Sequence, residues 1–100
     1  MPKVIFSIQY EIDENKREEY FTIARELKSL LKVDGLEDYR IFQVKGKKNN
    51  FQEIYIFSSP EAYENFDDNQ NERISILLTK LNSLVKDNST KYTTLNEVVE

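Results

Sequence analysis

The stretch IYIFSSPEAYENF, residues 54–66, changes period half-way along. Ile54 to Phe57 are strand formers; Ser58 and Ser59 end the run, and Pro60 opens something helical. Ser59 suits a helix N-cap, and Pro60 suits the first helical turn, where a missing amide proton costs nothing. The stretch therefore predicts a strand that passes directly into a helix of one or two turns, SPEAYENF. The acidic, amide-rich DDNQN (67–71) interrupts that helix, and Asn69 with Glu72 three residues on reads as a capping box for a second piece. Ile74, Leu77, Leu78, Leu81 and Leu84 or Val85 then fall at helical spacing, which predicts an amphipathic helix.

Upstream, KVIFSIQYEI (3–12) alternates Val4, Phe6, Ile8 and Tyr10 on one face with Ile5, Ser7, Gln9 and Glu11 on the other, the period of a strand. From Asn15 the period lengthens: Tyr20, Ile23, Ala24, Leu27, Leu30 and Leu31 make one face of a helix. Asn15 with Glu18 reads as its capping box, and the helix is expected to end near Asp34-Gly35, because glycine tolerates the left-handed cap conformation. LEDYRIFQVKG and FQEIYIFSS are two strands joined by KGKKNN, a hairpin loop by composition. Residues 90–99, TKYTTLNEVV, are a last strand rich in β-branched side chains. The order is strand, helix, strand, strand, broken helix, strand. It predicts an α+β fold, a ferredoxin-like βαββαβ protomer with a four-stranded antiparallel sheet and both helices on one face.

Length and composition set the limits. A chain of 100 residues with 39% hydrophobic content is read as one domain, residues 1–100. At this size roughly 60 to 70% of the unfolded surface is buried, enough for a core without staples. There is no cysteine, histidine or tryptophan. That removes disulfides, a thiolate nucleophile, cysteine-ligated zinc and the commonest general base at neutral pH. The opening apolar run is far too short to span a bilayer and lacks a cleavage-site pattern, so a cytoplasmic protein without membrane association is expected. A net charge of −4, with one basic cluster at Lys45, Lys47 and Lys48, argues against nucleic-acid binding.

With the helices on one sheet face, the other needs a cover too, because the strands carry apolar residues on both: Tyr39 and Ile41 alternate with Phe42 and Val44 on the second, and Ile54 and Ile56 with Tyr55 and Phe57 on the third. An open antiparallel sheet is normally polar on its free face. A second copy packed there would bury it, so the chain itself is the expected partner, in a homodimer.

The opening strand leading into YEIDENKREEYFTIARELKSLL, the GLEDYRIFQ turn and strand, and IFSSPEAYENF together resemble the dimeric α/β-barrel superfamily, in particular its antibiotic-biosynthesis-monooxygenase-like domains. The likeness runs over nearly the whole chain in order and length. It implies two ferredoxin-like protomers joined into a barrel, with a pocket between helices and sheet that holds a polycyclic phenol, haem or another small molecule. In the haem-degrading branch an asparagine on the first strand, a tryptophan in the short helix and a histidine on the long one carry the chemistry. Here those positions hold Ile8, Phe66 and Ile76, which argues against haem degradation. The cofactor-independent oxygenase branch relies on substrate activation and pocket shape and stays open.

Two readings follow. One is a small-molecule site, with cofactor-free monooxygenation as its chemistry, in a pocket lined by Phe6, Ile8, Tyr10, Tyr20, Phe66 and Ile74. The other is a non-catalytic dimeric interaction or regulatory module. No catalytic residue is singled out. Tyr10, Tyr39, Tyr55, Tyr63 and Tyr92 offer phenols to a ligand, yet aromatics at strand spacing are ordinary packing. Arg40 with Glu53 or Glu11 is a candidate charged pair on the sheet. No cofactor is implied, and no metal, since ENFDDNQNE lacks the turn glycine of a calcium loop.

Overall fold

The computed structural model describes residues 2–66 and 71–98. The elements are β1 (Val4–Glu11), α1 (Arg17–Leu30), β2 (Leu36–Gln43), β3 (Asn50–Phe57), α2 (Pro60–Asn65), α3 (Glu72–Leu84) and β4 (Lys91–Asn96), with a 3-10 turn at Glu14–Lys16 before α1. The four strands form one antiparallel sheet in the order β2-β3-β1-β4. This is the expected α+β, ferredoxin-like arrangement. No helix among the described residues is long and apolar enough to cross a membrane.

Registry sorts the side chains as the alternation predicts. Val4, Phe6, Ile8 and Tyr10 of β1 lie beside Phe57, Tyr55, Glu53 and Phe51 of β3, and Tyr39 and Ile41 of β2 continue two of those rows. These residues face the helices. Tyr20, Ile23 and Leu27 of α1 and Ile74, Leu77, Leu81 and Leu84 of α3 close over them as the core. Full burial of each such side chain is worth about 1.5–3 kcal/mol, so the helix stripes hold both helices on the sheet.

The quoted stretch behaves as its residues dictate. Ser59 Oγ accepts from Ala62 N at 3.1 Å and Pro60 occupies the first turn of α2. Ala62, Tyr63 and Phe66 pack on the core from this short helix. Ala62 also sits directly over Gly35 in the turn that enters β2: a Cβ built on Gly35 would lie 2.6 Å from the Ala62 Cβ. The Gly35 carbonyl accepts from Ser58 N at 2.9 Å. The short helix thus clamps the end of β3 onto the start of β2.

Three helix ends differ from expectation. Asn15 does not cap α1; it sits within the 3-10 turn, Lys16 is the N-cap, and no side chain closes that end. The cause lies just upstream, where Ile12 is fully buried and bridged to Val85, so the chain begins to coil immediately after it. The helix α1 ends at Leu30 rather than near Gly35: Leu31 leaves helical geometry and enters the core, and Gly35 (φ 87°) serves the following turn instead. The cap of α3 is Asn71, whose Oδ1 accepts from Arg73 N at 2.8 Å and Ile74 N at 3.2 Å; Asn69, Asp67 and Asp68 lie outside the described residues.

Gly35 is constrained twice, by its left-handed φ and by the Ala62 methyl, whereas Gly46 (φ 84°) meets nothing within 4 Å. Gly35→Ala is expected to cost about 2–3 kcal/mol and lower the melting temperature by roughly 10 °C or more. Gly46→Ala is expected to cost only the intrinsic ~1 kcal/mol of the left-handed conformation. Equal losses in thermal denaturation would show that the Ala62 contact carries nothing.

Candidate functional site

Along β3 the helix-facing positions read Phe51, Glu53, Tyr55, Phe57. One carboxylate therefore stands in a row of aromatic rings at the centre of the sheet, between Ile8 of β1 and Ile41 of β2, and it is only 2% exposed. An isolated charge there would be very costly. Phenols replace the lost water. The Tyr39 hydroxyl donates to Glu53 Oε1 at 2.6 Å and the Tyr55 hydroxyl reaches the same oxygen at 3.4 Å. Tyr10 and Tyr20 hydroxyls bond each other at 2.8 Å, which ties α1 to the same group of side chains.

Burial pushes the Glu53 carboxyl above its ordinary range, and the phenols of Tyr39, Tyr10 and Tyr55 pull only part of the way back. No basic side chain among the described residues contributes to its ionisation. Burial likewise raises Tyr10 and Tyr39, with the Glu53 charge as the next cause, and burial raises Tyr20. These phenols are donors throughout the physiological range. The expected pairing of Arg40 with Glu53 or Glu11 does not form. Arg40 stands beside Ile54, on the opposite sheet face from Glu53, and its Nε donates to Asp38 at 2.5 Å; Glu11 pairs with Lys86 at 3.2 Å.

A cleft of about 260 Å³ opens onto this carboxyl between the sheet and α3. Phe6, Ile8, Tyr10, Glu53 and Tyr55 form its sheet side; Leu78, Leu81 and Asn82 of α3 form the other. Thr90 and Tyr92 stand at its β4 side, where Tyr92 is two-thirds exposed and stacks on Phe6 with centroids 6.1 Å apart. The volume is just below the roughly 300–1,000 Å³ of drug-sized pockets, which suits one ring or two fused rings.

Of the six residues expected to line a pocket, the cleft brings together Phe6, Ile8 and Tyr10. Tyr20 lies behind Tyr10, wholly buried. Phe66 packs against Tyr55 and Phe57, centroids 5.9 and 5.2 Å away, outside the lining, and Ile74 is buried in the core. Glu53, Leu78, Leu81 and Asn82 were not singled out for the pocket. The signal for Glu53 was its place in the aromatic row, the only non-aromatic residue at an alternate position from Phe51 to Phe57. Among the described residues no group of three histidine, cysteine, aspartate or glutamate side chains is placed to hold a metal ion.

No family model matches the chain, and no curated protein matches it. Solved structures do. A conserved protein from Methanosarcina mazei superposes with a TM-score of 0.81 at 13% identity, over 98% of this chain and 95% of that one. SnoaB, a cofactor-independent oxygenase from Streptomyces nogalater, gives 0.73 at 12% identity, over 93% and 90%. An antibiotic biosynthesis monooxygenase gives 0.70 at 19% identity, over 100% and 99%.

The Glu53 proton is held more tightly in the folded than in the unfolded chain, so stability is full below the ordinary carboxyl range and falls as pH rises above it towards the raised folded value. Glu53→Gln is expected to flatten this fall, and Tyr39→Phe, which removes the 2.6 Å donor, to extend it to higher pH. Melting temperatures from about pH 5 to about pH 8 measure both; a wild-type curve parallel to that of Glu53→Gln would contradict the assignment. In its backbone arrangement, over nearly its full length, the chain shares the fold of these structures, antibiotic biosynthesis monooxygenases among them.

Proposed function

We propose that the protein binds a small hydroxylated aromatic molecule in the α3 cleft and promotes its reaction with dioxygen without a cofactor. The observation that carries this reading is Glu53, a carboxyl with no basic partner among the described residues, at the floor of a cleft walled by rings, leucines and a few polar side chains. A carboxyl whose pKa is raised is a stronger base than an ordinary one and exchanges its proton nearer neutrality. The ligand's hydroxyl proton passes to the Glu53 carboxylate, and Tyr39 and Tyr55 support the charge before transfer. For a hydroquinone, the anion left in the cleft then gives two electrons to dioxygen, which takes up the second phenolic proton and the proton that Glu53 returns, so that quinone and hydrogen peroxide leave. The likeness to an oxygenase named as cofactor-independent supports the same reading.

1,4-Naphthohydroquinone is a suitable probe, followed with an oxygen electrode against its own autoxidation. The expected result is enzyme-dependent oxygen uptake that drops about tenfold or more in Glu53→Gln while ring binding persists. Binding without accelerated uptake would overturn the catalytic part and leave a ligand-binding module. No binding would overturn the site.

The homodimer belongs to the proposal as well. On the face away from the helices, Ile5, Ile54 and Ile56 form an apolar centre, and Phe42 and Leu95 are about half exposed in the single chain. This face also favours the second reading, a non-catalytic dimeric module, should the cleft prove inert. Wild-type protein is expected to sediment as a dimer and Ile54→Lys as a folded monomer; a monomeric wild type at tens of micromolar would remove the dimer from either reading.

A further inference from the structure

A second cavity, larger than the α3 cleft, lies apart from it. A groove of about 470 Å³ runs between α1 and the free edge of β2, and it shares no lining residue with the cleft. Its apolar walls come from Phe21 and Ala24 of α1 with Ile41, Phe42 and Phe51 of the sheet. Phe21 and Phe51 meet edge to face at 5.6 Å, and the Arg17 guanidinium lies over both rings, 5.2 and 5.7 Å from their centroids. Three cations complete the lining: Arg25, Lys28 and Arg40. Among the described residues no acidic side chain lines the groove, although the chain as a whole carries a net charge of −4.

The state of these cations matters. Arg40 is engaged through Nε by Asp38, and Lys28 Nζ donates to the Tyr39 carbonyl at 3.1 Å, which holds it over the strand edge. Arg25 has no ion-pair or hydrogen-bond partner among the described residues. The backbone adds a second source of donors. Val44 N donates inward to Asn50 O, while the Tyr39 carbonyl points outward to Lys28. In an antiparallel pair, inward and outward residues alternate, so the amides of Ile41 and Gln43, both in the groove wall, point away from β3. Cationic side chains and free amides converge over a floor of rings.

We propose that this groove binds a small aryl carboxylate, its ring against the partly exposed Phe21 and Ile41, with Phe51 buried behind them, and its carboxylate held by Arg25, Lys28 and the free amides of β2. Guanidinium and amide donors form charge-assisted hydrogen bonds to carboxylate, and a ring provides the area to bury. The site is independent of the chemistry at Glu53.

The test uses 2-naphthoate, with the uncharged 2-naphthylmethanol as its isostere, titrated into the isotopically labelled protein and followed by amide NMR. Naphthoate is expected to shift the amides of Ile41, Gln43 and residues 24–28 and to leave those of Tyr10 and Glu53 in place. The double variant Arg25→Gln, Lys28→Gln, whose side chains lie outside the core, is expected to weaken naphthoate binding by about tenfold or more, and the alcohol by much less. Equal affinity for acid and alcohol, unchanged affinity in the double variant, or shifts confined to the α3 cleft would each overturn the assignment. So would slow solvent exchange at Ile41 and Gln43 in the ligand-free protein, which would mean that a second copy already pairs with this edge.

Discussion

The arrangement of the helix-facing layer turns on one constraint: a carboxyl buried in the middle of a sheet must find its hydrogen bonds among neighbouring side chains, and no described cation reaches it. Glu53 sits on an inner strand between two aliphatic cross-strand neighbours, so its hydrogen bonds have to come from longer side chains along the rows. Tyrosine meets this need because it combines a large apolar ring with one donor at its tip. Tyr39 reaches from β2 and Tyr55 from the adjacent row of β3, while Tyr10 from β1 carries the group on to Tyr20 of α1. No described buried side-chain nitrogen or oxygen is left without a partner. Polar networks of this kind stabilise only when complete, because each unmade bond at low dielectric is costly. The rings therefore have two duties, filling the core and holding the carboxyl.

That constraint also separates the two openings on the helix side. Tyr20 packs on Phe51 with centroids 4.6 Å apart and on Phe21 at 5.7 Å, between the α3 cleft and the groove beside β2. The cleft sees the carboxyl and its phenols; the groove sees cations and an unpaired strand edge. A single sheet thus presents two surfaces of opposite electrostatic preference, one under α3 and one at the β2 edge, where Arg40 and Phe42 reach the groove from the far face, and an apolar third surface on that far face.

How far the sequence could be read follows from the same physics. Strand alternation is a strict period of two, so the grouping of Val4, Phe6, Ile8 and Tyr10, of Tyr39 with Ile41 and of Tyr55 with Phe57 within their own strands needed no tertiary information, whereas the registry between strands puts the three groups on one face. The Ser59-Pro60 entry into α2 was equally local. Helix ends were less legible, because Asn15 and Gly35 had suitable chemistry but their roles were settled elsewhere, by the burial of Ile12 and by the close approach of Ala62. The pairing of Arg40 with Glu53 failed for a reason already present in the alternation: residues 40 and 53 fall on opposite faces once Ile41 is registered against Glu53. The pocket was half legible, since β1 contributed the expected residues, whereas the choice between Leu78 and Ile74 on α3 depends on helix rotation against the sheet, which periodicity does not specify.

The same geometry bears on what chemistry this cleft supports. At the positions where the haem-degrading branch carries asparagine, tryptophan and histidine, Ile8 contributes an apolar wall and Phe66 locks into the ring cluster of Tyr55 and Phe57. Ile76, at 40% exposure, stands outside the cleft lining altogether. None of the three offers a donor or a ligand atom. The buried polar groups of the cleft come instead from its central strands, a carboxyl on β3 and phenols on β1 and β3, whose backbones are fixed by ladder hydrogen bonds, while Asn82, Thr90 and Tyr92 stand at its other sides. A carboxyl held this way is rigid and shielded, and its ionisation is set by the surrounding burial more than by any single neighbour.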